Sequence, residues 1–202
     1  VAMIQCIGSR SEEYLECSRI CCQNAVKNAI HIKKLNPDTQ VYVLYRDIRT
    51  YGFLEDYYRE ARKRGVIFLR FDQDSPPDVQ CSPDGVTISV IDHVLQRPIA
   101  IRADLLTLSA GMRAADTDEL SGIMKLNRNS EGYFIEAHVK LRPVDMPGEG
   151  IFLCGTAHGP KLISETISQA QAAASRATTF LAKPEIKLSA ITAKVDTDNC
   201  VK

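Results

Sequence analysis

VAMIQCIGSR (residues 1–10) opens the chain with a short apolar run, 1–5, followed at once by a cysteine and a glycine. Such a run is typical of a buried strand, and the residues after it are typical of a loop. A helical pattern then covers 17–35, with an apolar face that ends at Asn36-Pro37-Asp38. This order predicts the first strand, loop and helix of an α/β unit.

The alternation continues after this first helix. Residues 41–45 and 66–69 are β-branched and aromatic runs that predict strands, and the charged stretch 54–64 between them predicts a helix. A β-α-β-α-β order implies a parallel sheet with helices on its faces.

The rest of the first half predicts a second kind of sheet. Residues 75–85 are rich in Ser, Pro, Asp and Gly and indicate a turn region, whereas 86–102 indicate a hairpin or β-meander. Residues 104–109 predict another buried strand. We therefore predict a Rossmann-like, nicotinamide-domain-like three-layer unit over 1–112, with a parallel sheet and a β-meander.

The second half is less regular. After a mixed stretch, residues 150–155 predict a short strand between glycines, and 162–182 predict a long alanine-rich helix. Small and apolar residues on one face of this helix suggest close packing on a sheet or a cofactor; they are Ile163, Ile167, Ala170, Ala174 and Ala177. We assign 113–185 to a second unit and predict a poorly ordered polar tail at 186–202.

Composition narrows the classes of function. The 202 residues carry 25 basic and 25 acidic side chains, so nothing favours nucleic acid or an anionic membrane as partner. No apolar run is long enough to span a bilayer and no secretion signal is visible, so we expect a cytoplasmic protein. Because the first residue is a valine inside an apparent strand, we expect an excised piece of a longer protein.

Four of the seven cysteines, Cys6, Cys17, Cys21 and Cys22, lie within the first 22 residues. Four thiolates in one short segment suit a metal site, and an iron–sulfur cluster is the favoured occupant. Cys17 and Cys21 are four residues apart in the predicted helix, so we expect them to share one helix face. A zinc site, a redox dithiol and plain buried cysteines remain alternatives, although adjacent cysteines are unusual for zinc and C-x-x-C is absent.

The cysteine segment takes the place where a dinucleotide-binding unit carries G-x-G-x-x-G, and only Gly8 remains of that pattern. We infer that a cluster replaces the nicotinamide cofactor there. Arg46, Asp47 and Arg49 follow the second strand, where such side chains can hold a ribose or a 2′-phosphate, although solvated loop charges are the more economical interpretation.

Several blocks together resemble the heterodisulfide reductase A-subunit family. These blocks are the C-x10-C-x3-C-C segment, LYRDIRTYG (44–52), KLRPVD (140–145) and GTAHGPK (155–161). The resemblance covers about 1–185, and it identifies the chain as an internal or C-terminal piece. The Gly-rich loop that grips the FAD diphosphate in that family and its ferredoxin-like cysteine motifs do not occur in this sequence.

The resemblance implies a thioredoxin-reductase-like flavoprotein whose [4Fe-4S] cluster is held by cysteines matching Cys6, Cys17, Cys21 and Cys22. It also implies that 113–185 form the C-terminal part of an FAD-binding domain. The flavin half-site implied there consists of six residues: Gly155, Thr156, His158, Lys161, Glu165 and Thr166. No side chain is assigned a catalytic role.

By the same resemblance, the protein is one subunit of an oxidoreductase and passes electrons between FAD and iron–sulfur clusters inside a heterodisulfide reductase-type complex. Homodimerisation and an inactive isolated piece are further expectations. A pyridine-nucleotide-dependent disulfide oxidoreductase domain and a zinc-stapled, non-catalytic binding module remain the alternative functions.

Overall fold

The computed structural model describes residues 1–185, 194–196 and 199. Most of the polar tail predicted at 186–202 therefore lies outside the described residues. Within the described part, no helix is long and apolar enough to cross a membrane.

Two sheets and two flanking helices make up the first half. The strands are β1 (Ala2–Ile4), β2 (Tyr42–Tyr45), β3 (Ile67–Arg70), β4 (Asp78–Ser82), β5 (Gly85–Asp92), β6 (Arg97–Ala103) and β7 (Leu106–Leu108). The helices are α1 (Cys21–Leu35) and α2 (Glu55–Lys63). The parallel sheet has the order β3-β2-β1-β7, and the antiparallel sheet has the order β4-β5-β6.

Successive side chains of the parallel strands point to opposite faces and build two separate cores. Ala2, Ile4 and Leu44 face the antiparallel sheet, where they pack with residues such as Ile88 and Ile101. On the other face, Met3 and Val43 pack against α1 and α2. Helices, parallel sheet and meander are thus three layers, which confirms the predicted α/β architecture of the first unit.

The second half has little regular structure. It contains α3 (Asp118–Met124) and α4 (Ile163–Leu181), with a small core of Phe134, Met146 and Leu153 between them in sequence. The predicted strand at 150–155 is reduced to a single bridge between Asp145 and Phe152. The division at 112 stays a prediction.

A buried carboxylate ties this half to its long helix. Asp145 is 2% exposed and accepts hydrogen bonds from Nε and Nη2 of Arg176 at 2.9–3.2 Å. Arg142 lies 3.5 Å from the same carboxylate. The hydrogen bonds from Arg176 hold the pKa of Asp145 below its ordinary value, against the opposing effect of burial, so the carboxylate stays charged at neutral pH.

Three sequence predictions were wrong in detail. The helix predicted from Cys17 begins at Cys21, and the turn region 75–85 contains β4, whose five residues are all exposed. The strand at 104–109 is short, and Leu108 is 54% exposed.

Most residues on the predicted packing face of α4 are exposed to solvent. Ile163 is 81% exposed and Ile167 is 53% exposed, and Ala173 is the buried residue of this helix. The described part of the chain supplies no sheet layer opposite that face, so the apolar stripe has nothing to pack on.

Candidate metal centre and flavin half-site

The cysteine segment crosses from the carboxyl end of β1 to the start of α1. Cys6 follows β1 by two residues, while Cys21 and Cys22 are the first two residues of α1. Cys17 lies in the loop before the helix, so it does not share a helix face with Cys21 as predicted. The first turn of α1 offers unpaired backbone N–H groups and the positive end of the helix dipole to any anion held by these thiols.

The structure brings the four thiols within electrostatic reach of one another. Burial raises the pKa of Cys22 to about 11, and the negative charges of Cys6, Cys17 and Cys21 contribute to this rise. Burial also raises the pKa of Cys6 and of Cys21, and Cys17 adds to both shifts. Without a cation to compensate them, four thiolates here would repel one another, so burial and mutual repulsion both favour the neutral thiols.

The four thiols do not form a site for a single metal ion in this arrangement. Across residues 1–185, 194–196 and 199, no three His, Cys, Asp or Glu side chains converge tightly enough to hold one metal ion.

The backbone of the segment is strained. Cys6, Arg10 and Arg19 have φ values of 65°, 60° and 60°, in the left-handed region that non-glycine residues rarely adopt. Each such residue costs about 1–2 kcal/mol. Strain persists where surrounding contacts impose the conformation, and it concentrates at functional sites.

Contacts from distant parts of the chain impose this conformation. The buried Ser18 hydroxyl accepts the Met112 backbone N–H at 2.9 Å. The Glu131 carboxylate accepts the backbone N–H of Glu16 at 2.9 Å, and Tyr14 donates its hydroxyl to the Glu131 carbonyl at 3.3 Å. The loop is therefore held from the second half of the chain as well as from the sheet.

We predict that the metal-free protein alkylates slowly at Cys22. With a pKa of about 11, roughly 0.1% of this thiol is ionised at pH 8, whereas Cys81 lies on an exposed strand. Iodoacetamide labelling followed by peptide mass spectrometry should modify Cys81 first, and raising the pH from 8 to 10 should speed labelling of Cys22 about 100-fold. Equal labelling of the two thiols at pH 8 would contradict this result.

The second half-site is a tight turn at the start of α4. Gly155 has a φ of 67°, and a Cβ added to it would lie 3.2 Å from Cγ2 of Thr166. Its N–H donates to Oε1 of Gln169 at 2.8 Å. Thr156 lines a cavity of about 300 Å³ beside Met112 and Phe134. The turn and the first turns of α4 thus form one closely packed unit.

His158 is engaged through both ring nitrogens. Since Oε1 of Gln169 accepts from Gly155, its Nε2 amide donates to Nδ1 of His158 at 2.8 Å. Nε2 of His158 then carries the proton and donates to Glu136 at 2.6 Å. Hydrogen bonds from its own backbone and from His158 bring the pKa of Glu136 below its ordinary value although burial opposes this. His158 therefore braces the turn in this structure.

Lys161 and Glu165 line a larger cavity of about 570 Å³ together with Arg19 and Gln169. Burial and the charge of Arg19 lower the pKa of Lys161. Burial would raise the pKa of Glu165, but the Leu162 backbone N–H and Arg19 bring it below its ordinary value. This cavity is bordered by charges of both signs at the amino end of α4.

Arg19 connects the two half-sites. Its backbone N–H donates to Sγ of Cys17 at 3.3 Å. Its guanidinium reaches Glu165 at 2.6 Å and the Pro160 carbonyl at 3.4 Å, and it also donates to the Tyr51 hydroxyl at 3.0 Å. One residue therefore has its main chain on the cysteine segment and its side chain on the start of α4.

Comparison with curated proteins shows the family to which the chain belongs. The chain is 41% identical over 186 residues to the A subunit of ferredoxin:CoB-CoM heterodisulfide reductase of Methanosarcina acetivorans, an alignment that covers 90% of this chain and 23% of that protein. This chain is homologous to one segment of the heterodisulfide reductase A subunit. The iron–sulfur A subunit of CoB–CoM heterodisulfide reductase of Methanocaldococcus jannaschii is 40% identical over 99% of the chain and 31% of its own length.

The chain thus spans between about a quarter and a third of the length of the heterodisulfide reductase relatives it matches. A third relative, from Methanococcus maripaludis, is named as the A subunit of an H(2)/formate:CoB-CoM heterodisulfide,ferredoxin reductase; it is 39% identical over 98% of the chain and 30% of its own length. No family model matches the sequence.

Solved structures show the same fold at low sequence identity. Thioredoxin reductase of T. acidophilum superposes with a TM-score of 0.55 at 12% identity, covering 90% of this chain and 53% of that one. A HOCl-induced flavoprotein disulfide reductase from Escherichia coli gives 0.53 at 12% identity, covering 89% and 35%. These matches confirm the thioredoxin-reductase-like fold of this heterodisulfide reductase segment.

Two of the charged residues that follow β2, Arg46 and Asp47, contact Arg10 of the cysteine segment. Asp47 forms an ion pair with Arg10 at 2.8 Å, and Arg46 donates to the Arg10 carbonyl at 2.7 Å. Arg46 also bonds to Gln73. In this heterodisulfide reductase segment Arg46 and Asp47 thus brace the cysteine segment, whereas Arg49 is exposed.

Sequence reasoning did not find several residues that shape the site. Arg19, Tyr51, Glu136 and Gln169 are far apart in the chain, and none of them was assigned a role from the sequence. Arg19 carried one available signal, since it is the charged residue between Cys17 and the pair Cys21–Cys22. Their meeting at one place follows from the tertiary fold.

Proposed function

We propose that this chain is an electron-transfer segment of an oxidoreductase of the heterodisulfide reductase type. In this proposal Cys6, Cys17, Cys21 and Cys22 hold a [4Fe-4S] cluster, and residues 155–166 form one side of an FAD site. Electrons pass between the two. When bound, the cluster exchanges one electron at a time, whereas the flavin exchanges one or two.

The observation that carries the proposal is the bridge made by Arg19. Electron transfer between two cofactors requires them to lie close together in a fixed arrangement. Arg19 ties the Cys17 sulfur to Glu165 and Pro160 through contacts of 3.4 Å or less, so the two half-sites lie side by side.

The donor chemistry of each half-site supports its proposed occupant. Four thiolates at this place repel one another, and the iron ions of an iron–sulfur cluster would compensate their charge. The first turn of α1 favours the net negative charge of such a cluster. The start of α4, with Lys161 nearby, favours negative charge on a flavin ring. Thr156 supplies a hydroxyl that can bond a sugar alcohol.

The wider setting is also part of the proposal. Residues 113–185 are the C-terminal part of an FAD-binding domain whose remainder lies elsewhere in the relatives' longer chains. The partners are other subunits of a heterodisulfide reductase-type redox complex. Homodimerisation and a cytoplasmic location stay predictions.

The test uses full-length protein prepared without oxygen. We expect about four irons and four sulfides per chain at this site beyond those bound by any other cysteine motifs, one FAD, and little zinc. After photoreduction of the flavin, the visible absorbance of the oxidised cluster should bleach as the flavin reoxidises. Bound zinc without iron would favour the zinc-stapled module instead, and a cluster that stays oxidised beside a reduced flavin would contradict electron transfer.

A further inference from the structure

The guanidinium of Arg10 is buried against the cysteine segment without a full set of acceptors. Its side chain is 18% exposed, and Nη1 is completely buried and has no hydrogen-bond partner among the described residues. A buried donor left without an acceptor destabilises the folded protein. Native structures rarely tolerate this, unless a group bound there supplies the acceptor.

The group that Arg10 faces is the first cysteine. The Arg10 guanidinium lies beside the Cys6 thiol, within reach of its sulfur. Arg46 is a second, weaker cationic neighbour of Cys6. Among the four cysteines, Cys6 is therefore the one with these positive charges beside it.

The chain holds this guanidinium in a fixed direction. Asp47 binds Nη2 of Arg10 at 2.8 Å, and Arg46 fixes the main chain by donating to the Arg10 carbonyl at 2.7 Å. The backbone of Arg10 is held at a φ of 60°. With Nη2 paired and the main chain fixed, Nη1 is a buried donor available to a ligand on the cysteines.

We infer that Arg10 is a positioning residue for the proposed cluster, donating from Nη1 to a sulfur at the Cys6 corner and raising the reduction potential of the cluster. This inference rests on the proposed function. Hydrogen bonds to cluster sulfurs and nearby positive charge both stabilise the reduced, more negative cluster. Asp47 serves as the partner that aims the guanidinium.

The test compares Arg10→Gln, Arg10→Lys and Arg113→Gln in the full-length protein. Arg113 is a matched control, because it stacks 4.4 Å over the Tyr14 ring of the same loop and pairs weakly with Glu13 at 3.7 Å. Iron content is measured first. The cluster is then titrated with a one-electron reductant and followed by electron paramagnetic resonance.

We expect Arg10→Gln to keep its iron while the equilibrium constant for one-electron reduction falls about tenfold, which is about 59 mV. Arg10→Lys, which keeps the charge, should fall between Arg10→Gln and the parent protein, and Arg113→Gln should match the parent. Exchangeable-proton couplings to the reduced cluster should weaken in Arg10→Gln.

Several results would overturn the inference while leaving the proposed function intact. They are an unchanged potential in Arg10→Gln, an equal shift in Arg113→Gln, or loss of iron from both Arg10 variants, which would make Arg10 a structural support for the loop. Absence of iron from the parent protein would instead overturn the proposed function itself.

Discussion

Replacing Cys21 by serine is expected to abolish the cluster of this site, with about four irons and four sulfides lost per chain. Cys21 is the first residue of α1 and lies within electrostatic reach of Cys6 and Cys17. Serine keeps the size of the side chain but replaces a soft thiolate with a hydroxyl, which is a poor ligand for iron–sulfur cores. Iron and acid-labile sulfide are measured on anaerobically purified and reconstituted protein.

Cys81→Ser is the matched control for this experiment. Cys81 lies on the exposed strand β4, in the antiparallel sheet, so its replacement should leave the iron content unchanged. Full iron content in Cys21→Ser would remove Cys21 from the ligand set. Equal iron loss in the two variants would point to general damage to the protein.

A single methyl group at Gly8 is expected to cause the second large effect. A Cβ added there would lie 1.7 Å from the carbonyl oxygen of Ala110 and 2.6 Å from its carbonyl carbon. Both are backbone atoms of a segment tied to the first loop by the Ile7 N–H, which donates to the Ser109 carbonyl at 3.1 Å. The two segments must therefore separate, and this separation would also displace Cys6.

We expect Gly8→Ala to lower the free energy of unfolding by about 3 kcal/mol, as severe overpacking does. For a chain of this size, that corresponds to a melting temperature lower by roughly 6–12 °C. Iron retention should fall in parallel. Both quantities are accessible by thermal unfolding with circular dichroism and by metal analysis of the same preparations.

Gly122→Ala is the corresponding control. Gly122 lies in α3, and a Cβ added there would meet no atom within 4 Å. Alanine is the better helix former, so this variant should match the parent protein or exceed its stability by up to about 1 kcal/mol. If Gly8→Ala melts at the same temperature as Gly122→Ala, the close crossing at Ala110 is not a constraint in solution.

The role of Gly8 inferred from the sequence differs from its role in the structure. As the one glycine left from a dinucleotide-binding pattern, it suggested a lost phosphate loop. In the structure it permits two backbone segments to cross at the carboxyl edge of the parallel sheet. Sequence spacing identified the unusual position, but the reason for it is a contact between residues about a hundred positions apart.

Some elements were difficult to predict for physical reasons. Strand β4 is exposed along its whole length and lies in a stretch rich in Ser, Pro, Asp and Gly, a composition that indicates a turn, although Val79 and Cys81 alternate with polar residues. The start of α1 was placed too early because Cys17 fits the helical spacing, whereas the left-handed Arg19 breaks the helix before Cys21. The apolar face of α4 was predicted correctly as apolar, yet nothing in the described chain covers it.

The sequence by itself determined the α/β alternation, the meander, the four-cysteine segment that runs into the start of α1 and the turn before α4. These are local properties, since hydrophobic periodicity, turn residues and cysteine spacing act over a few positions. Only the tertiary structure decided that β7 lies beside β1, that Arg19 joins the cysteines to Glu165, and that Arg10 faces Cys6. Those contacts depend on how the chain closes long loops around two cores, and no local pattern records them.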